Sequence, residues 1–176
     1  MGYIQLVDAL ELKKGFDLNS NTDLPYIYNV QCSVGRRTAN MEHDVKLIQA
    51  LLNLAGNAAD LPNGPLVVDG KFGPKTHATL LHFQKTVSGL KVDGRVDKFD
   101  TNTEFYNYFY GPSKRFLYTI IALNSMALRS GVWPYLSIPA LAPLDFPQWV
   151  NEMRECYFGR HFAGVEPVSV QTPTFP

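Results

Sequence analysis

Cleavage of a glycan needs two carboxylates held across a cleft, one protonated as acid and one ionised as nucleophile or base. In this 176-residue chain the carboxylates placed for such work are Glu104, Asp145, Glu152 and Glu155. None has a sequence setting that would raise its pKa, and Glu152 and Glu155 read more simply as the solvated face of one helix. Cys156 and His161 supply a thiol and a base, yet Arg154-Glu155-Cys156-Tyr157-Phe158 matches no local cysteine-hydrolase pattern. Ser33 and Ser125 lack a nucleophile-elbow context. The four histidines, His43, His77, His82 and His161, have no tight metal-ligand spacing. His77 and His82 lie about 140° apart around a helix, which makes them poor joint ligands. The sequence therefore supports neither catalysis nor a metal or cofactor site.

A different pattern carries more weight. Val68-Asp69-Gly70-Lys71-Phe72-Gly73 and Val92-Asp93-Gly94-Arg95-Val96 repeat an Asp-Gly step twenty-four residues apart. Asp accepts hydrogen bonds from backbone amides just ahead of it, and Gly takes positive φ without steric cost, so each copy predicts a turn. Between them Pro74 suits the first position of a helix. Leu80, Phe83 and Val87, with Leu81 beside them, form one apolar stripe, and Gly89 suits a left-handed cap. Upstream, Val45, Ile48, Leu52 and Ala55, flanked by Leu47 and Leu51, predict a second helix. Asn40 or Asp44 is its cap and Gly56 its terminator.

In order and spacing, Asp44 to Leu52, Val68 to Thr76, Phe83-Gln84 and Gly89 to Gly94 together resemble the peptidoglycan-binding-like domain found beside bacterial and phage wall-lytic enzymes. The resemblance covers roughly residues 40 to 105. It implies a mainly α fold: a three-helix module, here with a small N-terminal β arm (1–39) and a helical C-terminal extension (106–163), then an extended or disordered tail (164–176). The family usually has a second Gly and a Thr opening a third short helix. Here Asp97-Lys98-Phe99-Asp100-Thr101 follows instead, so the third helix is displaced or remodelled.

For the β arm, Tyr26, Tyr28, Val30, Cys32 and Val34 alternate with polar or smaller neighbours, the period of a half-buried strand, and Tyr3 to Leu12 is its candidate partner. Beyond the module, Phe116, Ile120, Leu123 and Ala127, with Leu117, Ile121 and Leu128, predict a long helix opened by Gly111-Pro112-Ser113 and closed by Gly131. After a proline-punctuated connector, Asp145 and Gln148 predict a last helix over about 146–158. Cys32 and Cys156 permit either one disulfide or two free thiols.

Formal net charge is zero, and residues 44–98 hold seven Lys/Arg against five Asp/Glu, so there is no basic stripe for nucleic acid. No apolar run approaches the roughly 18 residues of a membrane span. The N-terminus lacks the pattern of an export signal, so the expectation is a cytoplasmic protein, non-classical export towards the periplasm or wall, or a mature or trimmed form.

The resemblance implies a non-catalytic bacterial or phage wall-binding protein whose ligand is peptidoglycan glycan or stem peptide. Asp69, Phe72, Thr76 and Asp93 at the turns, with Phe105 and Tyr108 from the aromatic run at 99–110, are the candidate ligand-binding residues. Those rings offer planes on which sugars stack, or else close the core, and the turn residues equally serve to fix turns. The alternative is an adaptor, accessory component or inhibitor in a secretion system or phage particle, with the same module binding protein. A lytic enzyme with its active site in 106–160 is a third reading.

Overall fold

The computed structural model describes residues 3–6, 26–56, 61–99, 117–131, 134–135 and 138, all within the compact unit Met1–Asp145. In chain order these form β1 (Tyr3–Leu6), β2 (Tyr26–Asn29), β3 (Val34–Gly35), α1 (Glu42–Ala55), α2 (Pro74–Thr86), β4 (Arg95–Val96) and α3 (Thr119–Ser130). The architecture is mainly α, as the sequence predicts. β1 and β2 form an antiparallel ribbon with Tyr3 opposite Asn29 and Leu6 opposite Tyr26, and β3 pairs antiparallel with β4 through Val34 with Val96 and Gly35 with Arg95.

Helix α1 is the centre of the core rather than an amphipathic surface helix. Val45, Leu47, Ile48, Ala50, Leu51 and Leu52 are all buried, so apolar side chains face α2, α3 and β3 at once. Each of the Val, Leu and Ile side chains among them contributes about 1.5–3 kcal/mol on burial. Glu42 at the exposed start of the helix pairs with Lys46 at 2.6 Å, and Asn53, Leu54 and Ala55 at its end are half-buried.

The cap expected at Asn40 or Asp44 is not there. Met41 occupies the N-cap position with no side-chain bond, while Asp44 lies inside the helix and is fully buried. Its carboxylate instead accepts from Gln31 N (3.0 Å) and Cys32 N (2.8 Å). A buried carboxylate takes such amide donors more readily than solvent-exposed helix ends because no water competes. Asn40, at φ 46°, turns back to bond Gly35. Gly56 does end α1, with extended backbone and its N–H on Leu52 O.

Pro74 opens α2, and Leu80 and Phe83 enter the core. The helix stops at Thr86, leaving Val87 as its half-buried C-cap; Gly89 has the left-handed φ of 85° but lies beyond the end. Helix α3 starts later than expected. Leu117 forms a parallel bridge with Leu90, its N–H bonding Gly89 O at 2.9 Å, and Tyr118 is extended. From Thr119 on, Ile120, Ile121, Leu123 and Ala127 are buried against α1 and β2, and Gly131 closes the helix.

The half-buried alternation expected over 26–34 is also corrected. Ile27, Tyr28, Asn29 and Val30 are all buried, and pairing with β1 ends at Asn29. The reason is that side chains replace the ladder. Asn124 of α3 accepts from Tyr28 N (2.8 Å) and donates to Tyr28 O (2.9 Å), while Asn29 clasps Phe99 N and O (3.1 and 2.7 Å). Asn53 holds Leu66 and Asn40 holds Gly35 in the same two-bonded way. Four asparagine amides thus imitate a peptide group of a missing strand, pairing both backbone groups of Tyr28, Gly35, Leu66 and Phe99.

Cys32 is a free thiol. Cys156, the helix expected over 146–158, the Gly111-Pro112-Ser113 opening and the tail lie outside the described residues. No helix among the described residues is long and apolar enough to cross a membrane.

Candidate functional site

Each Asp-Gly turn is built around a glutamine projecting from the preceding helix. Gln49 of α1 accepts from Gly70 N (2.9 Å) and donates to Asp69 Oδ1 (2.9 Å), Lys71 O (3.2 Å) and Thr76 Oγ1 (3.2 Å). Asp69 Oδ1 also accepts from Lys71 N at 2.9 Å. Gln84 of α2 repeats the set: it accepts from Gly94 N (2.8 Å) and Asp93 N (3.2 Å), and donates to Arg95 O (2.9 Å), Asp93 Oδ1 (3.4 Å) and Thr119 Oγ1 (3.1 Å). Asp93 Oδ1 accepts from Arg95 N at 3.0 Å.

The two copies correspond residue by residue, Gln49, Asp69, Gly70, Lys71 and Thr76 with Gln84, Asp93, Gly94, Arg95 and Thr119. In the first copy the threonine lies five residues after Lys71, whereas in the second it lies twenty-four residues after Arg95. Thr119 is the first residue of α3, and Thr76 lies in the first turn of α2. Helix α3 is therefore tied to the second turn through Thr119, as α2 is tied to the first through Thr76.

Both glycines are required by conformation and by space. Gly70 has φ 77°, and a Cβ there would lie 2.9 Å from Glu42 O; Gly94 has φ 67°, and a Cβ would lie 2.5 Å from His77 Nε2. His77 therefore packs directly on the second turn, while its ring meets Phe72 edge-on at 6.0 Å between centroids. The Phe72–His77 pair thus bridges the two turns on one face of the module.

Of the six candidate ligand-binding residues, Asp69 is exposed and Phe72 and Asp93 are half-buried, so an edge of each is open. The hydrogen bond from Gln49, then that from the Lys71 amide, holds the Asp69 carboxyl below its ordinary range. Asp93 adds an ion pair with Lys91 at 3.1 Å. Thr76 is buried, its hydroxyl accepting from Gln49 and donating to Lys71 O. Phe105 and Tyr108 lie outside the described residues, as do Tyr106, Phe109, Tyr110, Glu104, Asp145, Glu152, Glu155 and His161. Phe99, from the same aromatic run, is buried and meets the Tyr118 ring edge-on at 5.4 Å, a core contact.

Sequence reasoning singled out the Asp-Gly steps and Phe83-Gln84 but not Gln49 or Thr119 as turn-holding residues. Placing the two copies with their preceding glutamines in register would have found Gln49; Thr119 has no local signal, because its partner is 35 residues away. His77 and His82 part company as expected. His82 lines a separate, mainly apolar cavity of about 270 Å³ at the C-terminal ends of α1 and α2, with Leu52, Leu61, Phe83 and Met126. No group of three or more His, Cys, Asp or Glu among the described residues is placed to hold a metal ion.

The fold and site define a small helical module organised on two glutamine-held Asp-Gly turns. Residues 42–99, about a third of the chain, match the protein-family model described as "Putative peptidoglycan binding domain". Neither the curated proteins nor the solved structures gave a match.

Proposed function

We propose that this protein is a non-catalytic wall-targeting protein of bacterial or phage origin, which docks peptidoglycan glycan or stem peptide in a shallow groove beside the two turns. The observation that carries the reading is the pair of rigid turns joined by Phe72 and His77 within the segment that matches the wall-binding family. Asp69, Phe72 and Asp93 would touch ligand through their open edges. Thr76, buried beneath, would position the first turn through Gln49 and Lys71. Phe105 and Tyr108 complete the set as stacking planes for sugar rings.

The test is sedimentation of the purified chain with insoluble peptidoglycan, with wall turnover followed in the same tube, beside Phe72→Ala and Phe105→Ala/Tyr108→Ala variants. Binding without turnover, weakened in variants that keep their melting transition, supports the reading. Turnover would move the function to a lytic enzyme. Absence of binding would move it to the adaptor reading, which the aromatic and proline-rich sequence after residue 100 favours.

A further inference from the structure

The segment joining β3 to α1 breaks a local rule. Arg37 sits at φ 59° in a turn where glycine is the default, a backbone conformation that residues with a Cβ rarely adopt. The conformation is imposed from around it. Asn40 bonds Gly35 N (2.9 Å) and Gly35 O (2.8 Å), and Thr38 Oγ1 donates to Gly35 O (2.9 Å) and Asn40 Oδ1 (3.2 Å). Strain held in place by its surroundings clusters at sites of function.

What this rigid loop presents is charge. Arg36 and Arg37 are both exposed, and neither has an ion pair or hydrogen bond among the described residues. At the second turn, by contrast, Lys91 pairs with Asp93 and Arg95 with Asp97, with Ser33 bonding both Arg95 and Asp97. The loop is also fixed to the second turn. Gly35 pairs with Arg95, and a Cβ on Gly35 would lie 2.5 Å from Gly94 O, so the backbones touch.

We infer that Arg36 and Arg37 form a carboxylate-binding end of the proposed groove, and that the part of the wall recognised there is the stem peptide. This rests on the wall-binding reading. The N-acetylated sugars of the glycan are uncharged, whereas stem peptides carry free carboxylates, and the planar guanidinium fork matches a carboxylate in bidentate geometry. Because the loop backbone is already fixed by Asn40 and Thr38, binding there orders no further backbone.

The experiment measures sedimentation of wild type, Arg37→Gly and Arg36→Ser/Arg37→Gly on peptidoglycan freed of accessory anionic polymers. The wall is used intact and after carbodiimide amidation of its carboxyl groups. Wild type should bind intact wall with a half-saturation concentration at least about tenfold lower than the double variant, and amidation should bring wild type to the level of the variant. Arg37→Gly should melt no lower than wild type, since glycine relieves the positive φ. Equal binding by wild type and variant, or no effect of amidation, overturns the carboxylate site while wall binding stands. Absence of wild-type binding to either wall overturns both. A lower melting midpoint for Arg37→Gly assigns the residue to the fold and also overturns the site.

Discussion

Removing the Gln84 carboxamide tests whether α3 completes the repeated unit. In Gln84→Ala, Gly94 N loses its 2.8 Å acceptor, Arg95 O its 2.9 Å donor and Thr119 Oγ1 its 3.1 Å donor, with Gly94 buried. A neutral hydrogen bond contributes about 1 kcal/mol net, and a buried donor left unpaired costs about 1–3 kcal/mol. Together these give a loss of about 3–4 kcal/mol, a large part of the roughly 5–15 kcal/mol that holds a domain folded. At about 3 °C per kcal/mol for a chain of this size, the melting midpoint should fall by about 10 °C. Thr119→Ala should cost about 1 kcal/mol. Because Gln84 and Thr119 share one bond, the double variant should be less destabilised than the sum by about 1 kcal/mol. Urea unfolding of the four proteins, followed by far-ultraviolet circular dichroism, measures the cycle. Additivity within about 0.3 kcal/mol would refute the claim that the second turn and α3 are one unit. A loss below about 1 kcal/mol for Gln84→Ala would refute the claim that its carboxamide holds the turn.

Gly70→Ala and Gly94→Ala should each destabilise by about 2–4 kcal/mol, from positive φ and from contact with Glu42 O and His77 Nε2; denaturant midpoints close to wild type would contradict the turn geometry. Asp69 has a folded pKa depressed by Gln49 and the Lys71 amide. Its stabilisation is thus complete above the unfolded value of about 3.9 and is lost as pH falls below that towards the folded value. In a pH series of melts, Asp69→Asn should remove that acid-limb contribution, and an unchanged limb would count against the Gln49 bond. A fragment spanning 26–99 contains the family-matched segment but lacks Ile120, Ile121 and Leu123, which are buried against α1 and β2. It should show no cooperative unfolding, whereas 26–138 should. Phe99 and Tyr118 rings are in contact at 5.4 Å, so replacing 100–116 by about six Gly/Ser residues, with a reach of roughly 20 Å, should leave the module folded. Loss of wall binding in that variant would support the assignment of Phe105 and Tyr108, and full retention would remove them from the site.

The sequence alone determined the local elements whose cause is local. Asp69-Gly70 and Asp93-Gly94 must turn because of what Asp and Gly do to their own backbone, Pro74 must begin a helix, and the spacing of Val45, Ile48 and Leu52 must make one. The same short-range rules carried the resemblance to a wall-binding family, since its motif residues are the turn residues. Tertiary structure decided what these rules could not reach. Asp44 had the composition of a cap but found two buried amides at residues 31 and 32. Asn29 and Asn124 looked like ordinary polar positions, and each instead replaces a strand for a partner 70 or 96 residues away. Thr119 joined the second turn through Gln84, 35 residues earlier in the chain. In each case the deciding quantity is the cost of leaving a buried amide or carbonyl unpaired, and that cost is set only when packing has excluded water.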